Sequence, residues 1–171
     1  MQLPILKKGV VGLPEGDIEI DYCTYEEYWE LLMSQDTDLE IEVFQHEDFT
    51  ILKFDNHLGE VQVIFDAEND YVLEIYLELF EDIPLAEFMD FIKTHKFMDY
   101  EYIQEIQDVL IVFCLNFMAR INGPRDEQGE LIEAQRISTL YFFSTDYIKM
   151  GATDLAKKIA KAAELQGQQQ H

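Results

Sequence analysis

The sequence predicts an α+β domain built on a central antiparallel sheet, a four-strand meander plus a C-terminal hairpin, with about three helices packed on one face. Three observations support this class. Apolar and polar residues alternate in several short runs. The connections between these runs are too short for parallel crossovers. Other segments carry the spacing of amphipathic helices. The length of 171 residues suits one domain, placed at residues 1–165 and followed by a disordered tail at 166–171.

The first 21 residues are predicted to form an extended, mobile arm. Prolines and glycines interrupt its short apolar stretches, which favours loops over regular elements. A strand is expected at Asp17–Tyr22 alone.

The first helix is predicted to begin after Thr24. Glu27 stands three residues later, so the two side chains can form a capping box. The helix should end near Ser34. Its buried face is predicted to carry Tyr25, Tyr28, Trp29 and Leu32.

Four strands in series are predicted next, because the period changes to two after Leu39. They cover residues 39–43, 49–54, 61–65 and 71–80, and short polar turns join them as antiparallel hairpins. In the fourth strand, one face is assigned to Leu73, Ile75, Leu77 and Leu79. The other face is assigned to Val72, Glu74, Tyr76, Glu78 and Phe80. That outer face is apolar as well as acidic, so another element is expected to cover it.

A second helix is predicted to enter at Asp82-Ile83-Pro84, since proline suits a first helical turn. Leu85, Phe88, Ile92 and His95 trace its buried face as far as Lys96.

The remainder is predicted to complete the sheet and to end in a helix. Tyr100–Glu105 suggests a short strand, and the apolar run Val109–Met118 suggests a central strand covered on both sides, with a buried helix as the alternative. A long polar loop from Asn122 to Gln135 leads to a strand at Arg136–Ser144 that pairs back on this run. A basic helix is predicted from Thr153 to Leu165, with Lys157, Lys158 and Lys161 toward solvent.

The formal net charge of −23 lies entirely in residues 1–110, which carry 28 acids and five lysines, whereas residues 111–171 balance seven acids with seven bases. Such a charge repels polyanions, which excludes nucleic acid and anionic membranes as favourable partners. It favours a basic protein or peptide segment. No apolar run is long enough to span a bilayer and no signal peptide is evident, so a cytoplasmic location is expected.

No catalytic, cofactor-binding or metal-binding residue can be assigned from the sequence. The glycines form no phosphate-binding loop, and the four histidines show no metal-ligand spacing. The acidic run Asp66–Asp70 lacks the glycine and the final acid of a calcium loop, so it is interpreted as a hairpin turn. Cys23 and Cys114 are interpreted as small buried residues, with a disulfide or a reactive thiol as the alternatives.

The candidate site is an acidic and aromatic strand surface. Its partner-binding residues are predicted to be Glu40, Glu42, Glu74, Tyr76, Glu78 and Phe80. The functional interpretation is that they bind a basic amphipathic segment of another protein. The alternatives are an ordinary solvated face that discourages aggregation and a surface that imitates the phosphates of DNA.

The order of elements resembles the YbjN-type family and its structural relatives, the type III secretion chaperones, over residues 24–165. The local match is the helix that starts at Asp82-Ile83-Pro84-Leu85 and ends at Lys93-Thr94-His95-Lys96-Phe97. The long loop 122–135 and the modest, basic last helix depart from the family pattern. The resemblance implies a non-enzymatic protein that binds client segments, often as a homodimer, and it transfers no catalytic residue.

Three functions are therefore considered. The first is a non-enzymatic chaperone-like or regulatory adaptor that presents the acidic-aromatic surface to a basic partner. The second is an immunity protein that neutralises a cationic toxin, because such proteins are small and very acidic. The third is a carboxylate-dependent enzyme, which a cleft holding two acids of raised pKa would favour.

Overall fold

The computed structural model describes residues 3–35, 38–94, 104–106, 110–114, 116–123, 125–130 and 135–150. In chain order, the elements within these residues are β1 (Leu6–Lys7), β2 (Val10–Leu13), β3 (Gly16–Glu19), α1 (Tyr25–Met33), β4 (Glu42–Gln45), β5 (Phe49–Asp55), β6 (Gly59–Asp66), β7 (Val72–Pro84), α2 (Leu85–Thr94), β8 (Gln104–Ile106), β9 (Leu110–Cys114), β10 (Phe117–Asn122), β11 (Arg136–Phe143) and α3 (Thr145–Met150). The strands form a small sheet, β1-β2-β3, and an eight-stranded sheet in the order β4-β5-β6-β7-β11-β10-β9-β8.

The large sheet consists of two antiparallel meanders joined along their last strands. The first runs from β4 to β7, the second from β8 to β11, and β7 pairs antiparallel with β11. A helix precedes each meander, α1 in one case and α2 in the other. The antiparallel α+β class and the first meander are therefore confirmed. The strand predicted at Arg136–Ser144 is present as β11 and pairs antiparallel with β10, but the sheet is larger than predicted, because its second half contains four strands and not a single hairpin.

The apolar run Val109–Met118 is neither one central strand nor a helix. It holds β9, a turn at Asn116 and the start of β10. The Asn116 side-chain amide donates a hydrogen bond to the carbonyl of Phe143 at 2.8 Å, and the Phe143 amide donates to the carbonyl of Asn116 at 2.9 Å. Apart from Asn116, the run is apolar because both faces of the sheet are covered here. The side chain of Phe113 lies in the main core on one face, and the side chain of Met118 lies in a second apolar cluster on the other face.

The inner face of the large sheet carries the main hydrophobic core, and α1 and α2 lie on it. Tyr28 and Leu32 of α1 and Phe88 and Ile92 of α2 are buried there. Burial of an apolar side chain of this size stabilises the fold by about 2 kcal/mol. The amphipathic faces predicted for both helices are thus the ones that pack.

The predicted capping box of α1 is confirmed. The amide of Glu27 donates to the hydroxyl of Thr24 at 3.3 Å, and the amide of Thr24 donates to the carboxylate of Glu27 at 3.0 Å. The helix ends at its cap residue Ser34. These two hydrogen bonds satisfy amides that the first turn leaves without helical partners.

The N-terminal segment is not an extended arm, because its three short strands pack against the core. Gly9 in the β1–β2 turn and Gly16 at the start of β3 have φ angles of +76° and +144°, a conformation that glycine adopts readily. The residues expected to keep the segment irregular therefore build hairpins. The side chains that it buries in the core are Leu3, Leu6, Val11, Leu13, Ile18 and Ile20.

A buried carboxyl group ties the small sheet to the rest of the molecule. Glu15 is 7% exposed and accepts hydrogen bonds from the hydroxyl of Tyr28 at 3.0 Å and the side-chain amide of Asn56 at 3.3 Å. Burial raises the pKa of Glu15 above its ordinary value. The contact joins the β2–β3 turn to α1 and to the β5–β6 turn.

The entry to α2 differs from the prediction by a few residues. Asp82, Ile83 and Pro84 are the last residues of β7, where Ile83 and Pro84 still pair with β11. The helix starts at Leu85, whose amide donates to the carbonyl of Gln135 at 3.0 Å. The predicted helix end at His95 and Lys96 lies outside the described residues.

α3 lies on the outer face of the large sheet, opposite α1 and α2, so the expectation that the helices share one face is wrong. Its Tyr147 and Ile148 pack against β7, β10 and β11. The register of the β6–β7 pairing shifts between Ile64 and Phe65. As a result, the side chains of Val72 and Leu73 point to the faces opposite to those predicted. Val72 joins the inner core and Leu73 the outer cluster. The predicted helix at 153–165 and the tail at 166–171 lie outside the described residues.

We expect the β6–β7 pairing to tolerate no side chain at Gly59. A Cβ atom there would overlap the carbonyl oxygen of Glu78, whereas one at Gly12 meets only a flexible carboxylate oxygen of Asp17 at 3.4 Å. Overpacking against backbone should lower the free energy of unfolding of Gly59→Ala by about 3 kcal/mol or more. The control Gly12→Ala should change it by about 0.5 kcal/mol. Urea denaturation measures both, and equal midpoints would contradict the pairing described.

Candidate protein-binding face

The outer face of the large sheet is covered at one end and uncovered at the other. Together with neighbouring strand residues, α3 forms a second apolar cluster of Leu73, Leu110, Met118, Tyr141, Phe143, Tyr147 and Ile148. We call the remaining part, over β4 to β7, the open half. The pairing places on it the side chains of Glu42, Phe44, Ile51, Lys53, Asp55, Glu60, Gln62, Ile64, Tyr76 and Glu78. None of these side chains is buried.

One row of side chains crosses the open half from the sheet edge to its middle. Glu42 lies opposite Lys53, Lys53 opposite Gln62, and Gln62 opposite Tyr76. The row ends where Tyr76 packs edge-to-face on Tyr141, with ring centroids 5.3 Å apart. An aromatic surface therefore continues from the open half to the covered end.

A second row places three carboxylates side by side. Asp55 lies opposite Glu60, and Glu60 lies opposite Glu78. Neighbouring strands are about 4.8 Å apart, so the whole row spans about 10 Å. Like charges directly opposite one another destabilise a sheet. A cation bound over this row would relieve that repulsion.

Lys53 is the one basic side chain on the open half among the described residues. Its ammonium lies 3.1 Å from a carboxylate oxygen of Glu60. That hydrogen bond raises the pKa of Lys53, and the nearby carboxylates of Glu42 and Asp55 add to the effect. The open half carries four carboxylates, those of Glu42, Asp55, Glu60 and Glu78, and one ammonium, so its formal charge is −3.

Five of the six predicted site residues lie at the surface of this region. Glu42, Tyr76 and Glu78 stand on the open half, where the Tyr76 hydroxyl donates to the Glu78 carboxylate at 3.1 Å. Glu40 precedes β4 and lines a depression of about 340 Å³ together with Glu42, Lys53 and Glu60. Phe80 continues the alternation of β7 and is 61% exposed.

Glu74 has a different environment from the one expected. It lies beside α3, where the hydroxyl of Tyr147 donates a hydrogen bond to it, and burial raises its pKa to about 7. Ionisation of this carboxyl group costs folding stability, because burial opposes its charged form more strongly than the Tyr147 hydrogen bond favours it. Glu74 therefore belongs to the covered end and not to an accessible acidic patch.

Exposed acids also occupy the opposite side of the molecule. Glu26, Glu27 and Glu30 of α1 and Glu87 and Asp90 of α2 are exposed on the helix side of the sheet. Charge alone therefore does not distinguish the open half. What distinguishes it is that carboxylates stand beside exposed apolar side chains on a face that no described element covers.

Two exposed apolar residues at the sheet edge were missed at the sequence level. Phe44 is 51% exposed and Val43 is 42% exposed, both in β4. The sequence contained a signal: two consecutive apolar residues in a strand point to opposite faces. An edge strand covered on one face must therefore leave one of them toward solvent.

A cavity of about 550 Å³ opens where the β3–α1 connection, the β6–β7 turn and the start of α3 meet. Its walls include Asp21, Asp66 and Asp146 together with the exposed rings of Tyr22 and Tyr71. Asp21 is held in place because both of its oxygens accept hydrogen bonds from Thr145. The cavity repeats the acidic and aromatic chemistry of the open half.

The described residues do not assemble a carboxylate pair for catalysis. Glu15 and Glu74 are the described acids whose pKa is raised. Glu15 bonds to Tyr28 on the inner side of the sheet, and Glu74 lies against α3 on the outer side. In the same residues, no group of three or more His, Cys, Asp or Glu side chains could hold a metal ion.

No family model, curated protein or solved structure matches the chain.

Among the helices of the described segments, none has the length and apolar character needed to cross a membrane. Cys23 is buried and Cys114 is half-buried, and the two are not joined to each other by a disulfide.

We expect Glu74→Gln to stabilise the protein increasingly as the pH rises. A pKa near 7 in the folded state, against an ordinary 4.5, means that the folded protein holds a proton that the unfolded chain releases. Stability is therefore lost between about pH 4.5 and 7. Glutamine does not titrate, so the Tm advantage of the variant should grow by about 5 °C between pH 5 and pH 8.

Glu87→Gln, at an exposed site on α2, is the matched control for this experiment. Its Tm difference from the wild type should stay constant over the same range. A constant difference for Glu74→Gln as well would show that Glu74 is solvated and that α3 does not cover it.

Proposed function

We propose that this protein is a non-enzymatic binding protein that holds a basic segment of another protein on the open half of its sheet. The observation that carries the proposal is the row of Asp55, Glu60 and Glu78, which Lys53 compensates only in part, on a face that also exposes apolar side chains. A lysine or arginine of a partner would relieve the repulsion within the row. The apolar side chains would supply contact area that charge alone does not provide.

The balance of charge and apolar area favours a protein partner over other cation sources. A field of this sign accelerates the encounter with a basic protein by about 10- to 1,000-fold at low salt. Phe44 and Phe80, 51% and 61% exposed, suit aromatic anchors of the kind that dominate protein interfaces. Nucleic acid would be repelled by the same carboxylates.

An adaptor or chaperone and an immunity protein would use this surface in the same way. In the first case the partner is a client or regulatory protein with a basic segment, and in the second it is a cationic toxin. The partner's identity separates the two, so the first experiment is designed to capture it. A second copy of the chain is a poorer occupant, because it carries the same net charge of −23.

Site-specific crosslinking tests where the partner lies. The photoreactive residue p-benzoylphenylalanine replaces Phe44 or Phe80 on the outer side, or Met33 of α1 as a control of similar exposure, 52%. In extracts at 50 mM salt we expect a basic protein to be crosslinked from the first two positions and not from Met33, because the crosslinker reacts only with what touches it. Equal yields from all three positions would place the binding surface elsewhere.

Charge reversal then tests the electrostatic part with the captured partner. Glu42→Lys combined with Glu78→Lys should weaken binding at least about tenfold, because placing like charges against a basic partner costs several kcal/mol. Glu26→Lys combined with Glu30→Lys changes the net charge equally but alters exposed positions of α1. Equal losses for both pairs would show that net charge, and not this face, controls binding. Glu74 is left unchanged because it lies against α3.

A further inference from the structure

We propose that β4 is a docking edge, where an extended basic segment of the partner pairs as an additional strand of the large sheet. The inference rests on the proposed function and names the kind of segment that the open half receives. Strand addition at a free sheet edge is a recurrent mode of peptide recognition, in which backbone hydrogen bonds give affinity and alternate side chains give specificity.

The backbone of β4 has hydrogen-bonding groups at this edge that pair with no other described strand. Among the described strands, β4 pairs with β5 alone and ends the sheet. The hairpin closes with the amide of His46 donating to the carbonyl of Phe49 at 2.8 Å. From that pair onward, residue pairs that are joined by backbone hydrogen bonds alternate with pairs that are not. The backbone of Phe44 therefore bonds to Ile51 of β5. The amides and carbonyls of Val43 and Gln45 therefore point away from the sheet.

Within the part of the chain that the structure describes, this edge lacks several of the features that commonly prevent strand addition. Natural edge strands are protected by lysine, proline, a bulge or a covering element. β4 contains no lysine or proline, its pairing with β5 is regular, and all four of its residues are exposed. Val43 and Phe44 add apolar side chains to the exposed backbone. Its protection consists of short length and acidic charge.

The charge around β4 selects a basic occupant. Residues 38–48 carry five acids, Asp38, Glu40, Glu42, Glu47 and Asp48, and no lysine or arginine. A second copy would place these acids against one another in the paired strands, which is destabilising. A strand with alternating basic and apolar residues would place lysine or arginine on the outer face beside Glu42 and Phe44, and apolar side chains on the opposite face beside Val43. The occupant is thus a segment in which basic and apolar residues alternate.

Amide hydrogen exchange of the full chain, followed by NMR, tests this pairing. The probe is the peptide acetyl-Lys-Val-Lys-Val-Lys-Val-Lys-amide at 50 mM salt. The control peptide has the same sequence and charge but is N-methylated at every residue, so that neither of its edges can pair with β4 along the backbone. We expect the first peptide to slow exchange of the Val43 and Gln45 amides at least about tenfold, because both become hydrogen-bonded. The methylated peptide should leave them unchanged.

The possible failures are distinguishable. If both peptides shift the resonances of Glu42 and Glu78 while exchange at Val43 and Gln45 stays fast, the open half binds cations but strand addition is wrong. If neither peptide shifts those resonances, the proposed function fails together with the inference.

A variant pair gives a second readout. Val43→Pro removes a backbone N–H that points to the free edge and leaves the hydrogen bonds between β4 and β5 intact. Proline is tolerated at such a position of an edge strand. It should weaken binding of the unmodified peptide at least about fivefold relative to Val43→Ala, which keeps the amide. Equal affinities would overturn the inference. Sedimentation velocity of the free protein provides the remaining test. If the wild type is a dimer and Val43→Pro is a monomer, the edge is occupied by a second copy of the chain and the inference is wrong.

Discussion

The pairing of β7 with β11 is the constraint on which the rest of the structure depends. It joins two meanders into one sheet of eight strands and places α1 and α2 on the same face. Stacked rings of Phe113, Phe117 and Phe142 on β9, β10 and β11, with centroids 4.9 and 4.8 Å apart, lead the core to this junction, where Phe142 lies opposite the buried Ile75 of β7. The inner face is therefore filled from both halves. Within the described residues, α3 is the helix that packs on the outer face, and it covers only one end of that face.

This unequal cover explains why the two ends of the sheet differ in composition. Where α3 packs, both faces of the strands are apolar, as at Met118 and Phe143. Where it does not, the outer positions carry carboxylates, and the repulsion in the row of Asp55, Glu60 and Glu78 is only partly offset by Lys53. The same charge that would draw a basic protein to this face keeps the free edge of β4 from pairing with copies of itself.

The sequence predicted what depends on local spacing and failed where distant segments meet. The capping box at Thr24 and the first meander follow from residues a few positions apart, and both are confirmed. The division of Val109–Met118 by a turn could not be predicted, because Asn116 is its sole typical turn residue and its partner is the distant Phe143. Glu74 looked like a neighbour of Glu78 by alternation, but the position of α3 sets its environment. Only the fold shows that β4 ends the sheet.

The account rests on the open half being accessible in the free protein while the end beneath α3 is not. Hydroxyl-radical footprinting of the full chain measures this directly, residue by residue. We predict fast oxidation of Phe44 and Phe80, which are 51% and 61% exposed, and slow oxidation of Phe143 and Tyr147, which are 4% and 6% exposed. Slow oxidation of Phe44 and Phe80 in the free chain would contradict the account, because the face proposed to receive a partner would already be occupied.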